Sequence, residues 1–182
     1  MLLAGASAGK KYMKDNWRYT ARSVTKYNPI YRDENGKYLR EEWLGFFQIG
    51  KKIGDQVLTF EIYSETESKY IESAILFFKF HNCDKVVIKN VEKNGFGNFQ
   101  ESDKDELLNY YDQIYEGMVL NPEQLNYILK LVLREFLWGE FFCVDSNEIA
   151  LRFGYDFYMH FNSNKDMGEL FKKIKKIGLF VN

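Results

Sequence analysis

The sequence predicts an α+β fold in one domain, with an antiparallel β-meander at about residues 139–161 packed against several helices. The first observation is a set of three short apolar runs between Trp138 and Phe161, separated by the turn signals Asp145-Ser146-Asn147 and Gly154-Tyr155-Asp156. Alternation with a period of two is typical of strands, and turn residues between such runs indicate hairpins. The second observation is that longer runs with helical spacing precede and follow the meander, which favours the α+β class.

The alternation in the meander also predicts which side chains face the helices. The apolar positions are Ile149, Leu151, Phe153, Phe157, Met159 and Phe161. Their neighbours, among them Arg152, Tyr158 and His160, are expected on the opposite face. A half-buried sheet with one apolar face follows from this pattern.

Four segments have helical patterns. The first begins at Thr59 as N-cap and runs to about Phe80, and the second begins at Ser102, with Asp105 as capping-box partner, and runs to about Tyr115. The third begins at Asn121-Pro122 and runs to Trp138. The fourth covers Asp166–Lys176. Ser, Thr and Asn are favoured N-caps, and proline is favoured in the first turn.

Shorter elements are predicted elsewhere in the chain. Strands are expected at Ser23–Tyr27, at Lys85–Val91 and, beyond Gly178, at Leu179–Val181 as an edge strand. Asp33-Glu34-Asn35-Gly36 predicts a turn, and the segment Tyr38–Ile49 is compatible with a short helix or with extended structure.

Length and composition favour one compact unit. The chain has 182 residues, of which 46% are hydrophobic and 18% aromatic, so a single domain is the default. We expect residues 17–182 to form it, with residues 1–16 as a disordered or tag-like tail. Most phenylalanines are expected in the core, whereas the tyrosines mildly favour a binding surface.

Charge is unevenly distributed along the chain. The formal net charge is −1, which points to no general attraction for nucleic acid. Residues 55–123 nevertheless hold 14 acidic and 6 basic side chains, a net charge of −8. This acidic centre predicts either a negative surface patch or ordinary solvated helix faces.

Two cysteines, Cys83 and Cys143, and the lack of an N-glycosylation acceptor give no sign of secretion. Reduced, buried thiols are the simplest expectation. No apolar run is long enough to span a membrane, and the start of the chain has its apolar residues before its lysines, the wrong order for a signal peptide. The sequence therefore predicts a cytoplasmic protein without a membrane partner.

Catalytic motifs in the sequence are weak. Gly5-Ala6-Ser7-Ala8-Gly9 matches a nucleophile elbow in letters only, because no sheet strand can precede it. Gly9-Lys10 does not complete a phosphate loop, since Lys11 occupies the position of the magnesium ligand. His81, Cys83, Cys143 and His160 lack zinc-site spacing. A Cys143–His160 nucleophile pair lacks an orienting group, and no metal or other cofactor is expected.

One polar cluster suggests an alternative function. Arg152, Tyr158 and His160 are expected on the same face of the meander, where His could act as acid–base and Arg could bind phosphate in a small hydrolase or nuclease. A solvated sheet face explains the same three residues without any chemistry. A single-strand nucleic-acid-binding module with tyrosine platforms is a further alternative, but the balanced net charge disfavours it.

The segment KYNPIYRDENGKY at Lys26–Tyr38, together with Glu42-Trp43 and Ile49-Gly50, resembles immunity proteins of bacterial contact-dependent growth-inhibition and polymorphic toxin systems. The similarity resumes at FGYDFYM, residues 153–159, and at IGLFV, residues 177–181. The resemblance implies a non-enzymatic cytoplasmic protein that binds and blocks one toxin domain, often a nuclease. It transfers no catalytic residue.

An acidic surface would suit such a partner, because nucleases that bind phosphate backbones tend to be basic. The candidate toxin-binding residues in the acidic centre are Glu101, Asp103, Asp105, Glu106 and Asp112, with Tyr110 and Tyr111 as aromatic anchors. A second candidate group is Glu61, Glu65 and Glu67.

Overall fold

A seven-stranded antiparallel sheet organises the molecule. The computed structural model describes residues 22–97, 99, 101–154 and 156–182. In chain order the strands are β1 (Arg22–Thr25), β2 (Lys52–Ile53), β3 (Gln56–Val57), β4 (Val86–Lys93), β5 (Val119–Leu120), β6 (Leu137–Cys143), β7 (Ser146–Phe153), β8 (Tyr158–Asn162) and β9 (Phe180–Val181). The spatial order is β5-β4-β6-β7-β8-β1-β9, and β2 and β3 form a separate hairpin. The predicted tail, residues 1–16, lies outside the described residues.

The predicted meander is confirmed as β6, β7 and β8. Phe141 lies opposite Leu151, and Leu151 lies opposite Phe161. These three side chains and Ile88 on β4 are all 0% exposed. These four side chains lie side by side on neighbouring strands and place one face of the sheet in the core. The α+β class is confirmed, and so is the face of the sheet that the alternation predicted to be apolar.

Four helices lie in the described part of the chain: α1 (Phe60–Phe80), α2 (Lys104–Gln113), α3 (Pro122–Leu133) and α4 (Gly168–Ile177). Helix α1 begins where the sequence predicted. Thr59 is its N-cap, and the Thr59 side chain accepts a hydrogen bond from the Ile62 amide. It lies on the apolar face of the sheet, where the ring of Phe77 stacks on that of Phe161 with centroids 4.6 Å apart. Its length and its single buried stripe make it the main cover of the sheet.

Helix α3 starts as predicted but ends earlier. Asn121 and Gln124 form a reciprocal capping box. The predicted end at Trp138 is wrong, because the helix stops at Leu133 and Leu137 already belongs to β6. Glu135 has a φ of +64°, in the left-handed region, and this residue turns the chain from the helix into the strand.

Helix α2 differs from its prediction at both ends. It covers Lys104–Gln113, with Asp103 at the N-cap position and no side-chain capping bond. The predicted capping box of Ser102 with Asp105 is therefore wrong. The carboxylate of Asp103 is turned away from the helix toward Arg134 and Lys130.

The first and last described strands meet at one edge of the sheet. Strand β1 pairs with β8 on one side and with β9 on the other. Helix α4 ends at Gly178, whose φ of +101° allows the left-handed turn into β9. The predicted edge strand after Gly178 is confirmed. Between Tyr38 and Ile49, where the sequence left two options, the only helical turn is the 3₁₀ turn Phe46–Gln48.

The expectation of two reduced cysteines is not what the structure shows. Cys83 and Cys143 form a disulfide, with Cα atoms 5.8 Å apart, between the segment before β4 and the end of β6. Strands β4 and β6 are neighbours, and Val86 lies opposite Cys143, so the pairing of the two strands brings the thiols together. None of the described helices is both long and apolar enough to cross a membrane.

Candidate functional site

Some carboxylates of the acidic centre, residues 55–123, belong to a buried ion-pair network around Arg134. Its guanidinium donates to Glu67 at 2.8 and 3.0 Å and to Asp103 at 2.9 Å through two nitrogens. Lys130 donates to the same Asp103 carboxylate at 3.1 Å. Burial alone would lower the pKa of Arg134, but the hydrogen bonds to the two carboxylates outweigh it and raise that pKa. The network ties α1, α3 and the start of α2 together.

Two predicted toxin-binding residues belong to this network. The side chain of Glu67 is buried within the helix packing, and Asp103 is half-buried. Burial would raise the pKa of Asp103, but the hydrogen bonds from Arg134 and Lys130 outweigh burial and lower that pKa below its usual value. The carboxylate therefore remains charged. We therefore correct the assignment of Glu67 as a surface residue, and we attribute a packing role to Asp103.

The other predicted carboxylates remain at or near the surface. Asp105, Glu106 and Asp112 are exposed on α2. Glu61 and Glu65 are exposed on α1, where Glu65 pairs with Lys69 at 2.6 Å. Glu101 is half-buried before α2. The two groups predicted from the sequence thus lie on different helices.

Tyr110 and Tyr127 form a stacked pair between α2 and α3. Their ring centroids are 4.5 Å apart and the planes differ by 13°. A hydrogen bond to Glu106 raises the pKa of Tyr127 to about 12. Burial, followed by the charges of Glu123 and Glu106, raises the pKa of Tyr110. We call Glu106, Tyr110, Glu123 and Tyr127 the tyrosine–glutamate patch.

Tyr111, the other predicted anchor, contacts the loop after β4. Its hydroxyl accepts a hydrogen bond from the Gly95 amide at 3.1 Å, and its ring lies 5.4 Å from that of Phe96. It holds the loop after β4 against α2. Glu123 and Tyr127 were missed by sequence reasoning, although their spacing of four residues on α3 places them on one side of that helix.

The polar face of the sheet carries a row of side chains across five strands. Neighbours in the row lie opposite each other in the order Lys89, Glu140, Arg152, His160 and Ser23. The Nδ1 atom of His160 lies 2.9 Å from the Ser23 hydroxyl. Burial, followed by the charge of Arg152, lowers the pKa of His160. The structure therefore brings together two of the three residues predicted as an alternative catalytic cluster.

Tyr158, the third member of that cluster, is directed elsewhere. Its hydroxyl accepts a hydrogen bond from Arg32, and its ring lies 5.8 Å from that of Tyr27. The residue shares the face of His160 but holds the segment that follows β1. Its hydroxyl is therefore already engaged in a structural contact.

Arg152 and His160 line a cavity of about 550 Å³ at one end of the sheet. Its apolar lining includes Leu44, Phe47, Leu133, Leu137, Trp138, Phe153 and Phe157. Two carboxylates also line it, Glu135 after α3 and Asp156 in the β7–β8 turn. Burial, followed by the charge of Asp156, raises the pKa of Glu135.

Three residues of this cavity have left-handed backbone conformations that are uncommon for non-glycine residues. The φ angles are +64° for Glu135, +56° for Asp156 and +58° for Phe157. Such conformations persist only where the surrounding structure imposes them. Sequence reasoning missed this site, because its walls come from four segments that are distant in the chain.

The described residues contain no group of three or more His, Cys, Asp or Glu side chains that could hold a metal ion. Among the acidic residues near the start of α2, Asp103 is bound to Arg134 and not available to a metal ion. No protein-family model, no curated protein and no solved structure matches this chain.

Proposed function

We propose that this protein is a bacterial immunity protein that binds the toxic domain of a cognate polymorphic toxin and covers its active or substrate-binding surface. The toxin domain is a nuclease by class, and the protein acts in the cytoplasm, without catalysis and without a cofactor. The observation that carries the proposal is the tyrosine–glutamate patch, a half-buried aromatic pair bordered by carboxylates on two adjacent helices.

The chemistry of the patch suits a basic protein partner. Tyrosine is enriched in protein interfaces because it combines a large apolar area with a polar tip. Exposed carboxylates steer a positively charged partner toward the surface and increase the association rate. A nuclease presents cationic side chains where it binds the phosphate backbone, so the same surface would complement the patch and be blocked by it.

Charge reversal on α2 tests the proposal. The partner is the C-terminal domain of the toxin encoded immediately upstream, purified and immobilised for binding kinetics. The double variant Asp105→Lys/Glu106→Lys is expected to lower the association rate by about tenfold at low salt, with a smaller effect at high salt because screening shortens the range of the charges. Tyr110→Ala is expected to accelerate dissociation, at a cost of roughly 2 kcal/mol.

The matched control is Glu169→Lys on α4, which is exposed and lies on the helix next to the opposite edge of the sheet. It changes charge by the same amount per residue and is expected to leave both rates unchanged. Asp103 is not varied, because its loss would disrupt the Arg134 network. Equal association rates for the parent and the double variant at low salt would refute the role of the acidic surface.

The cavity beside Arg152 and His160 supports a second candidate function, a small hydrolase or nuclease. Incubation with labelled RNA and DNA, with and without divalent metal, separates this function from the first. Cleavage that is lost in His160→Ala would favour the enzyme. Salt-dependent binding without cleavage would favour a single-strand nucleic-acid-binding module, the third alternative.

A further inference from the structure

Two carboxylates, those of Glu135 and Asp156, and one guanidinium, that of Arg152, line the end-of-sheet cavity. Neither Glu135 nor Asp156 forms an ion pair within the described residues. The only basic side chain among the lining residues, apart from His160, is Arg152. Arg152 lies directly opposite Glu140 in the β6–β7 register.

The walls of the cavity are aromatic and aliphatic. Trp138 and Phe157 line it, and Phe47 and Leu44 lie at its edge with 58% and 43% of their surface exposed. Aromatic faces attract cations, and apolar walls favour a ligand with an apolar body. A volume of about 550 Å³ exceeds that of a single side chain and lies in the range of small-molecule sites.

The position of one carboxylate depends on a glycine. A Cβ atom at Gly45 would collide with Oε1 of Glu135. The φ of Gly45 is −173°, an extended conformation that any residue adopts. A side chain at this position would displace the Glu135 carboxylate and the Phe47 ring, whereas glycine leaves room for the Glu135 side chain beside the loop that borders the cavity.

We propose that this cavity binds a small organic cation, with an ammonium or guanidinium group between Glu135 and Asp156 and its apolar body against Trp138 and the neighbouring apolar side chains. Two carboxylates supply charge-assisted hydrogen bonds to such a group. The site is separate from the tyrosine–glutamate patch, and binding of the cation does not depend on the proposed toxin.

Phenethylamine is a suitable probe, because it carries an ammonium group on an aromatic body. Titration followed by isothermal calorimetry and by ¹H–¹⁵N correlation spectra is expected to give a Kd of roughly 1 mM or tighter. The shifts should be concentrated at residues 44–47, 133–138, 153–154 and 156–157. The anion 3-phenylpropionate, which has a similar body and the opposite charge, is expected to bind at least about tenfold more weakly.

Three variants assign the site. Glu135→Gln and Asp156→Asn keep the shape of each side chain and are each expected to weaken phenethylamine binding by about tenfold; asparagine also tolerates the left-handed conformation at position 156. Gly45→Ala is expected to weaken binding by displacing the Glu135 carboxylate. Asp105→Asn, an exposed carboxylate on α2, is the matched control and should not change the affinity.

The proposal is overturned if phenethylamine does not bind in this range, as would be seen if the cavity accepts only a side chain of a protein partner. It is also overturned if 3-phenylpropionate binds equally well, or if neither carboxylate variant lowers the affinity. Thermal unfolding of each variant verifies that it remains folded. None of these outcomes bears on toxin binding, which is measured separately at α2.

Discussion

At the scale of single residues, Arg134 has the largest predicted effect on stability. Its guanidinium is 1% exposed and is surrounded by two carboxylates and by the rings of Phe46, Phe60 and Phe99. A buried charge is tolerated only while its partners are present. Removal of the guanidinium would leave the buried Glu67 carboxyl without its ion-pair partner.

Arg134→Met should therefore lower the free energy of unfolding by about 3–5 kcal/mol. The measurement is urea unfolding followed by circular dichroism. The control is Lys172→Met, which breaks an ion pair whose side chains are 71% and 75% exposed and should cost less than about 1 kcal/mol. Similar midpoints for both variants would show that the Arg134 network contributes little. Adding Glu67→Gln to Arg134→Met should recover part of the loss.

His81 predicts a pH dependence of stability. Both ring nitrogens are buried and have no hydrogen-bond partner among the described residues. Burial, followed by the charge of Lys165, lowers the pKa of His81 in the folded protein below 6.5. As pH falls through 6.5, the unfolded chain takes up the proton first, so stability is complete above that pH and declines below it. The measurement is the urea midpoint at neutral pH and about one unit below 6.5.

The variant His81→Phe isolates this effect, because phenylalanine does not titrate and suits a site in contact with Phe77 and Phe80. Its stability should decrease less than that of the parent over the same pH interval. His160 titrates in the same direction and is present in both proteins, so it cancels in the comparison. Parallel decreases in parent and variant would exclude His81 as the source.

At the scale of elements, the first turns of α3 and α2 allow a matched comparison of a capped and an uncapped helix start. Asn121 caps α3 through the Gln124 amide at 2.9 Å, whereas Ser102 lies before α2 and caps nothing in the described structure. Asn121→Ala should cost about 1 kcal/mol, and Ser102→Ala should stay within about 0.5 kcal/mol of the parent. Thermal unfolding of both variants gives the comparison. A larger cost for Ser102→Ala would mean that the predicted capping box exists.

The elements that the sequence predicted correctly are those with local causes. Asn121-Pro122 signals a helix start within four residues, and the alternation from Ile149 to Phe161 needs no distant contact. The end of α3 could not be predicted in this way, since Phe136 continues the apolar spacing of the helix. Only the tertiary position of Arg134 and the left-handed Glu135 show that the helix has already ended.

The candidate site was predicted less well for a related reason. The sequence shows that residues 55–123 are acidic, but a charge count does not distinguish an exposed carboxylate from one that is paired. Glu67 lies four residues after Tyr63 and three before Tyr70, both buried on α1. That spacing placed it on the apolar stripe and could have indicated a buried ion pair. The cavity could not have been predicted, because its walls meet only in the folded chain.

At the scale of the whole molecule, the Cys83–Cys143 disulfide closes a loop that contains α2, α3 and β4–β6. The two residues are 60 positions apart. A bridge of this span restricts the unfolded chain and should stabilise the fold by up to about 4 kcal/mol. Disulfides persist in oxidising surroundings, whereas cytoplasmic thiols are kept reduced, so the proposed location requires a fold that is stable without the bridge.

Reduction should therefore lower the unfolding midpoint without abolishing the fold. Urea unfolding with and without dithiothreitol measures the difference, and thiol titration of the denatured protein counts the free cysteines. The double variant Cys83→Ala/Cys143→Ala should match the reduced parent and should not respond to dithiothreitol. If reduction unfolds the protein outright, the proposed cytoplasmic role fails, because the inhibitor would not be folded there.

The position of β1 between β8 and β9 has a consequence for protein synthesis. Residues 22–25 leave the ribosome long before residues 158–162 and 180–181, with which they pair. The helices and the strands β4–β7 can associate as they emerge, but β1 has no partner until most of the chain has been translated. A nascent chain thus carries an unpaired strand through most of its own synthesis, and the edge of the sheet closes last.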